Sequence, residues 1–387
     1  MVCPQLDDIP RLKYSRQASR PDDLGNFPFS FEDWERRAKE KLDPDRFAYV
    51  AAGAGDDDVR EENVRALNRW RLVPRVLKYQ ASQSTSTEVI GIEVGAPIML
   101  APIRGLDYVR SQGQKACAQA AAECGVPLIL SNLASSSIEE VAAVLGSTPR
   151  FLQLYPCSDT ELIQSFVGRA ERAAYSALVL TVDTSGHPIQ YRGPVSSDYQ
   201  DFGHEIYLSD PVFQSRLKLP ATKDRKAAME LIRKVRDAVF TWEDVDRIHK
   251  STRLPIFLKG ILSPLDAKEA LNHEVNGLVV SNHGGRTMGG EVASIDMLPE
   301  IGEASDMKLT LLYDGGIRSG VDVLKALALG AKAVLVGRAY VYGLASDGQD
   351  GVASVIKTML KEMKSGLATC GCSSVKELNM SYVKRSL

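Results

Sequence analysis

From residue 97 onward, short apolar runs alternate with stretches of helical spacing. The runs are IMLAP (98–102), PLILSN (127–132), RFLQLY (150–155), ALVLTVDT (177–184), LPIFLKG (254–260), GLVVSNHGG (277–285), LTLLYDGG (309–316) and AVLVGR (333–338). Each is too short for a typical helix and is followed by a helical pattern or a loop. That pattern predicts strands of a parallel sheet covered on both faces. Two of the intervening helices open on capping signals: SSSIEEV sets Ser137 three residues before Glu140, and SPLDAKEAL sets Ser263 before Pro264. Eight strand–helix units over roughly 250 residues predict an α/β fold, a (β/α)8 TIM barrel. A doubly wound sheet is the competing arrangement, and no repeat of solenoid period is present.

The chain outside the barrel divides by pattern. Residues 1–24 read as a polar arm. Residues 25–96 read as an N-terminal helical segment, broken at Pro44, followed by a β-like lead-in, TSTEVIGIEVGAP, at 85–97. The barrel itself is expected over 97–345, and 346–387 as C-terminal helices and a tail. One connection is abnormal: a long loop, 185–240, with scattered Gly, Pro and Tyr. In a barrel it leaves the C-terminal mouth, where a loop of that length predicts a lid or disorder.

Composition narrows the function classes. The 387 residues are 44% hydrophobic and 25% charged, with a net charge of −2 and no long basic run, so nucleic acid is not an expected partner. No apolar run matches a membrane span or a signal peptide, and the terminal KRSL differs from the S-K-L address; a cytoplasmic protein is expected. The six cysteines show no zinc spacing, so no metal is expected and reduced thiols are the default.

The strands end on a polar set: Gln153 and Tyr155, Thr181 and Asp183, Lys259, Ser281 and His283, Asp314, then Gly337 and Arg338. In a barrel these converge on one mouth, which makes them a candidate site. The last two turns, DGGIRSG and VGR, lie where barrels bind phosphate. Backbone N–H groups around Gly315, Gly316 and Gly337 can face phosphate oxygens, with Arg318 and Arg338 supplying charge. There is no G-x-G-x-x-G after a strand and no Walker lysine, so FMN or a phosphorylated substrate fits better than a Rossmann-held dinucleotide.

At SNHGGR (281–286) the pattern resembles the FMN-dependent L-2-hydroxy acid oxidases and dehydrogenases, the family of glycolate oxidase, lactate oxidase and lactate monooxygenase. The likeness extends through YVAAGAGDD, LAP, LQLY, LTVDT, LKGI, DGGIRSGVDVLKALALGAKAVLVGR and GCSSVKEL, in that order. FEDWERRAKEKL and RWRLVPRVL look most like the lactate monooxygenase branch. The resemblance implies FMN as cofactor, a small-molecule 2-hydroxy acid as substrate, O2 or another carrier as electron acceptor, and a homo-oligomer, commonly a tetramer. It implies His283 as the base beside flavin N5, Asp183 orienting it, and Arg286 holding the substrate carboxylate as a planar clamp. Tyr155 would hydrogen-bond the substrate oxygen and Tyr49 would touch its carboxylate. Lys259 would sit near flavin N1 and O2. Ser131, Gln153, Thr181 and Ser281 would meet the ring edge, Asp314 the ribityl hydroxyls, and Gly316, Arg318, Gly337 and Arg338 the phosphate.

The departures cluster around the substrate. The family's usual APTA is APIRG here, putting Arg104 where a small residue is expected; Leu133 replaces a bulky aromatic. Arg192 is the approximate match to a second carboxylate-binding arginine. A long cation in that pocket predicts a substrate larger or more anionic than glycolate or lactate. Oxidative decarboxylation in the lactate monooxygenase manner is the near alternative. A different phosphate-binding barrel enzyme is the distant one, and an IMP-dehydrogenase-like chemistry would need a loop cysteine where this chain has none between 157 and 370. A flavin-binding protein without catalysis is the third.

Overall fold

Eight parallel strands close into a barrel: β1 (Ile98–Leu100), β2 (Leu128–Ser131), β3 (Arg150–Leu154), β4 (Ala177–Thr181), β5 (Ile256–Ile261), β6 (Gly277–Val280), β7 (Thr310–Tyr313) and β8 (Ala333–Val336). Each pairs with the next, and β8 returns to β1 with Val334 opposite Ile98 and Val336 opposite Leu100. This is the expected (β/α)8 barrel. The structure, a computed structural model, describes residues 27–78, 82–186 and 189–386. The polar arm expected over 1–24 lies outside the described residues.

Why the strands read as unbroken apolar runs is visible in the packing. One set of side chains faces the surrounding helices; the other fills the barrel. Met99, Ile129, Phe151, Val179, Phe257, Val279, Leu312 and Leu335 form that filling. Side chains alternate along a strand, so the residue two positions further on faces the same interior. Those positions are Ala101, Ser131, Gln153, Thr181, Lys259, Ser281, Asp314 and Gly337. The polar strand ends are therefore a single layer lying directly above an apolar plug. The other end of the plug is closed by Val89 and Val94 of an antiparallel hairpin, Thr87–Val89 with Ile92–Val94, which is the β-like lead-in.

Three N-terminal helices wrap the mouth. α1 (Phe31–Lys41) is capped by Ser30 and α2 (Pro44–Ala51) by Asp43 with Pro at its first turn. α3 (Asp58–Arg69) reaches the turn after β6. There Asn63 and Asn282, both buried, exchange two side-chain hydrogen bonds of 2.8 Å each. The expected caps at Ser137 and Ser263 are present.

Two expectations need correction. The segment 185–240 is not an irregular loop. It holds a 3-10 turn (Asp198–Asp201) and helices Glu205–Leu208, Pro211–Ser215 and Arg225–Val235. Ile206, Tyr207 and Phe213 are fully buried, with Tyr207 edge-on to both Phe166 and Phe213. The 3-10 turn and the first two helices are too short to show helical period in sequence, whereas Arg225–Val235 carries it, with Ala228, Ile232 and Val235 buried. The C-terminal region also differs: after a long helix, Arg338–Cys370, broken at Asp347 and Gly348, the chain ends in a strand, Val383–Arg385, antiparallel to Trp70–Leu72.

Gly285 shows how closely α3 sits. Its φ is +74°, and a Cβ there would lie 2.6 Å from the Arg60 backbone nitrogen. Gly290 has a similar φ, +79°, with open space around it. Gly290→Ala is expected to cost only the left-handed backbone term, about 1–2 kcal/mol. Gly285→Ala is expected to cost about 1–3 kcal/mol more from the forced backbone shift. Urea unfolding of the two variants checks this; equal losses would show that the approach is not tight.

Candidate active site

His283 sits at φ +54°, a left-handed conformation that costs a non-glycine residue about 1–2 kcal/mol. The reward is its position. Nδ1 lies 3.0 Å from Asp183 Oδ1, and Nε2 faces the Tyr155 hydroxyl at 3.4 Å. A carboxylate can only accept, so in the neutral ring this contact places the proton on Nδ1 and leaves the lone pair on Nε2. Asp183 is itself accommodated by Gly260, at the bulge between Lys259 and Ile261 in β5: a Cβ on that glycine would collide with the Asp183 Cβ. Burial pushes the Asp183 carboxyl up, but the His283 charge and hydrogen bond, with Lys259 behind them, outweigh it and hold the group below its usual value.

Lys259 anchors the floor of the site. Its ammonium is 2.9 Å from Ser281 Oγ and 3.1 Å from Asp314 Oδ2. Burial works against its charge, yet Asp314 and Asp183 more than offset this and keep it above the ordinary lysine value. Gln153 donates to Thr181 Oγ1 at 2.8 Å. Ser131 Oγ accepts from the Leu133 N–H at 3.1 Å. Among the described residues four buried oxygens in or beside this layer have no hydrogen-bond partner: Gln153 Oε1, Asp183 Oδ2, Asp314 Oδ1 and Asn132 Oδ1. Buried acceptors left unpaired are costly, so this layer is built to meet donors from something else.

Arginines gather at the ends of β6, β7 and β8. Arg286 donates to the Ala52 carbonyl at 2.8 Å and lies over the Tyr49 ring at 5.9 Å. Arg338 donates to the carbonyls of Val50 (3.1 Å), Ala52 (3.0 Å) and Gly284 (2.9 Å). Arg318 packs over the Phe31 ring at 3.9 Å. Among the described residues none of the three has a carboxylate within ion-pair distance. Burial, then the charges of Arg286 and Arg318, drag Arg338 down to about 9. Such a cluster gains from an anion. Gly337 leaves open space beside it, and Gly316, at φ +80°, lets the β7 turn close onto the Asn63 carbonyl. The unpaired acceptors, the uncompensated guanidiniums and the glycine turns fit the polar ring edge, sugar-like chain and phosphate of FMN.

The structure thus brings together His283, Asp183, Tyr155, Lys259, Ser281, Asp314, Gln153, Thr181 and Ser131 at one mouth, with Arg286, Arg318, Arg338, Gly316 and Gly337 along one side. Tyr49 joins them, donating to the Arg104 carbonyl at 2.7 Å. Arg104 itself donates to the Gln200 carbonyl at 3.0 Å and lies over the Tyr199 ring at 5.7 Å. Arg192, expected as a second carboxylate clamp, pairs with Asp57 at 3.4 Å, and its side chain is 63% exposed. Two residues before it, Gln190 forms a parallel bridge with Gly55, close in sequence to Asp57. Four residues outside the sequence-predicted set also shape the site. They are Gly260, Asn63, Asn282 and Arg236, whose guanidinium lies over the Tyr155 ring at 5.9 Å. An isolated glycine after a strand-end lysine is the one readable signal among these.

Comparison with known proteins agrees with this geometry. Residues 38–385 match the family model described as FMN-dependent dehydrogenase. The chain is 38% identical over 359 residues to 2-hydroxyacid oxidase 1 of Homo sapiens, covering 92% of this chain and 96% of that one. It is 37% identical over 358 residues to the FMN-dependent alpha-hydroxy acid dehydrogenase qulF of Penicillium citrinum, covering 91% and 89%. Among solved structures it is similar to mandelate oxidase, with a TM-score of 0.81 at 34% identity, covering 93% of this chain and 99% of that one.

The Asp183–His283 pair has a consequence for acid stability. A carboxyl held below its unfolded value stabilises the fold above that value, about 3.9, and the contribution disappears as pH falls through the lower folded value. Asp183→Asn removes it. The fall in melting temperature between pH 6 and pH 3 is expected to be shallower in the variant than in the wild type; parallel curves would mean that the carboxyl is not held down.

Proposed function

The chain belongs to the family of FMN-dependent dehydrogenases, and from that premise we propose that it oxidises a 2-hydroxy acid to the 2-oxo acid, with His283 as base and flavin N5 as electron acceptor. When bound, FMN supplies the two-electron acceptor that no side chain in the site offers. Ser131, Gln153, Thr181 and Ser281 would hold its ring edge, Asp314 its ribityl hydroxyls, and Arg318 and Arg338, with the backbone at Gly316 and Gly337, its phosphate.

The side chains of this protein do the rest. Arg286 and Tyr49 hold the substrate carboxylate, the planar guanidinium suiting a bidentate pair. Tyr155 donates to the substrate hydroxyl oxygen. His283 Nε2 takes one proton, and Asp183 stabilises the imidazolium that results. Overall the carbinol gives up two electrons and two protons. Nε2 is the group placed to take one proton; bound FMN would be the sink for the two electrons and the other proton. Lys259 offers a fixed buried cation where negative charge grows. The observation that carries this reading is the 3.0 Å contact of His283 Nδ1 with Asp183, which leaves Nε2 turned toward the Tyr155 hydroxyl in the mouth.

The substrate is larger or more anionic than glycolate or lactate; the support is Arg104, a long cation where relatives of this pattern have a small residue. O2 or another carrier reoxidises the enzyme. The same reading takes it as a cytoplasmic homotetramer, on the family likeness for the assembly and on the free state of Cys117, Cys124, Cys157, Cys370 and Cys372 for the compartment.

Purified protein is expected to be yellow and to bleach on anaerobic mixing with a suitable 2-hydroxy acid. His283→Ala is expected to stay yellow and to lose the bleaching, its reduction slowed by about 100- to 10,000-fold. A colourless variant, or one reduced at the wild-type rate, would contradict the assignment of His283 as base.

A further inference from the structure

Arg236 stands over the Tyr155 ring, and Arg104, over the neighbouring Tyr199 ring, bears on the same phenol electrostatically; among the described residues neither meets a carboxylate. Arg104 leaves the turn after β1 and is pinned by the segment over the mouth. Nη2 donates to the Gln200 carbonyl at 3.0 Å, and Nη2 lies 3.4 Å from His204 Nε2. The pin is tight: Gly203, at φ +81°, has no room for a Cβ, which would fall 3.1 Å from Arg104 Cγ and 2.9 Å from the Gly105 nitrogen. Arg236 arrives from the other side, as the residue ending the helix Arg225–Val235. Its Cζ lies 5.9 Å from the Tyr155 ring centre, and its Nε is buried with no hydrogen-bond partner among the described residues.

Among the described residues neither arginine has a carboxylate within ion-pair distance. The third basic group there, His204, donates through Nε2 to the Gln200 carbonyl at 2.7 Å and leaves Nδ1 buried and unpaired. Burial, with Arg104 and Arg236 adding to it, pulls His204 down to about 4, so it stays neutral and does not crowd the two cations further. Both guanidiniums bear electrostatically on the Tyr155 phenol and on each other. The nearest acid of the site, Asp183, is already committed to His283 and Lys259. Two half-buried, uncompensated cations within reach of one phenol are costly alone and favourable around a shared anion.

We propose that Arg104 and Arg236 form a second anion station beside Tyr155, so that the preferred substrate is a 2-hydroxy acid carrying another carboxylate at the end remote from the reacting carbon. This rests on the oxidation of a 2-hydroxy acid proposed above. Arg286 holds the carboxylate next to the carbinol, and the Arg104–Arg236 pair receives the distal one across the Tyr155 ring. A neutral side chain of equal length would leave both cations unpaired and is disfavoured for that reason.

The test compares acids matched in length on the FMN-loaded enzyme: L-malate against L-2-hydroxybutyrate, and L-2-hydroxyglutarate against L-2-hydroxyvalerate. The readout is the ratio of kcat/KM within each pair. In the wild type at least one ratio is expected to favour the diacid by about 10-fold or more, and Arg236→Met is expected to cut that ratio by on the order of 100-fold. Arg236→Lys is expected to retain part of the preference. Arg104→Met should act in the same direction; because Arg104 also fixes the covering segment, Arg236 decides if that variant fails to fold. Thermal shift of the wild type gives an independent reading, with 2-oxoglutarate stabilising the enzyme more than 2-oxovalerate. Preference for the neutral acids, or a ratio unmoved in Arg236→Met, overturns the second station and leaves 2-hydroxy acid oxidation standing. Failure of all four acids to reduce the flavin overturns the oxidation reading, and the station with it.

Discussion

The contact between His283 Nδ1 and Asp183 Oδ1 is the constraint around which the mouth of this barrel is arranged. It requires a residue at the end of β6 to adopt a left-handed backbone and a residue just past β4 to reach across β5. Neither comes without help. Gly260 removes the Cβ that Asp183 would meet, and the bulge in β5 opens the path. Gly285 lets α3 lie against the strained turn, and the Asn63–Asn282 pair locks helix and turn together. The strain at His283 is thus opposed by contacts on both sides, the usual condition under which a costly backbone conformation persists at a working site.

Below the mouth, alternation along the strands does the sorting. An apolar layer from Met99 to Leu335 fills the barrel, and one step of two residues changes it into a layer of hydroxyl, amide, ammonium and carboxylate. That boundary gives Lys259 and Asp314 a dry floor, where their mutual attraction is strong and where unpaired acceptors wait for a partner. The arginines at the ends of β6, β7 and β8 obey the same logic with the opposite sign: they are held by carbonyls of α2 and by aromatic faces, which fix their positions without neutralising them. A site that accumulates uncompensated cations is prepared for anions, and the family's phosphate-bearing cofactor is one.

Much of this is legible in the chain. The eight strands stand out because a parallel barrel buries both faces, so even four residues such as Leu128–Ser131 form an unbroken apolar run. The ring is legible for the same reason. Apolar runs that close on Ser131, Gln153, Thr181, Lys259, Ser281 and Asp314 set polar groups at one height in strand after strand, and a barrel joins that height into a circle. What stays hidden lacks period or is distant in sequence. Arg236 meets Tyr155 through the way the helices of the 185–240 segment fold back over the mouth; Arg225–Val235 has helical spacing, but nothing local says where its end is placed. The pairing of Arg192 with Asp57 is equally unreadable, because it joins residues 135 apart in sequence. The strand Val383–Arg385 is three residues long and depends wholly on its partner Trp70–Leu72.

The central claim is that Asp183 fixes the tautomer of His283 and so leaves Nε2 as the site's proton acceptor. Nitrogen-15 NMR of the neutral imidazole tests this most directly, with the His283 signal assigned by its absence from a His283→Gln sample. The expected result is a proton on Nδ1 in the wild type, with that preference lost in Asp183→Asn. A wild-type ring protonated on Nε2, or the same tautomer in both proteins, would contradict the account.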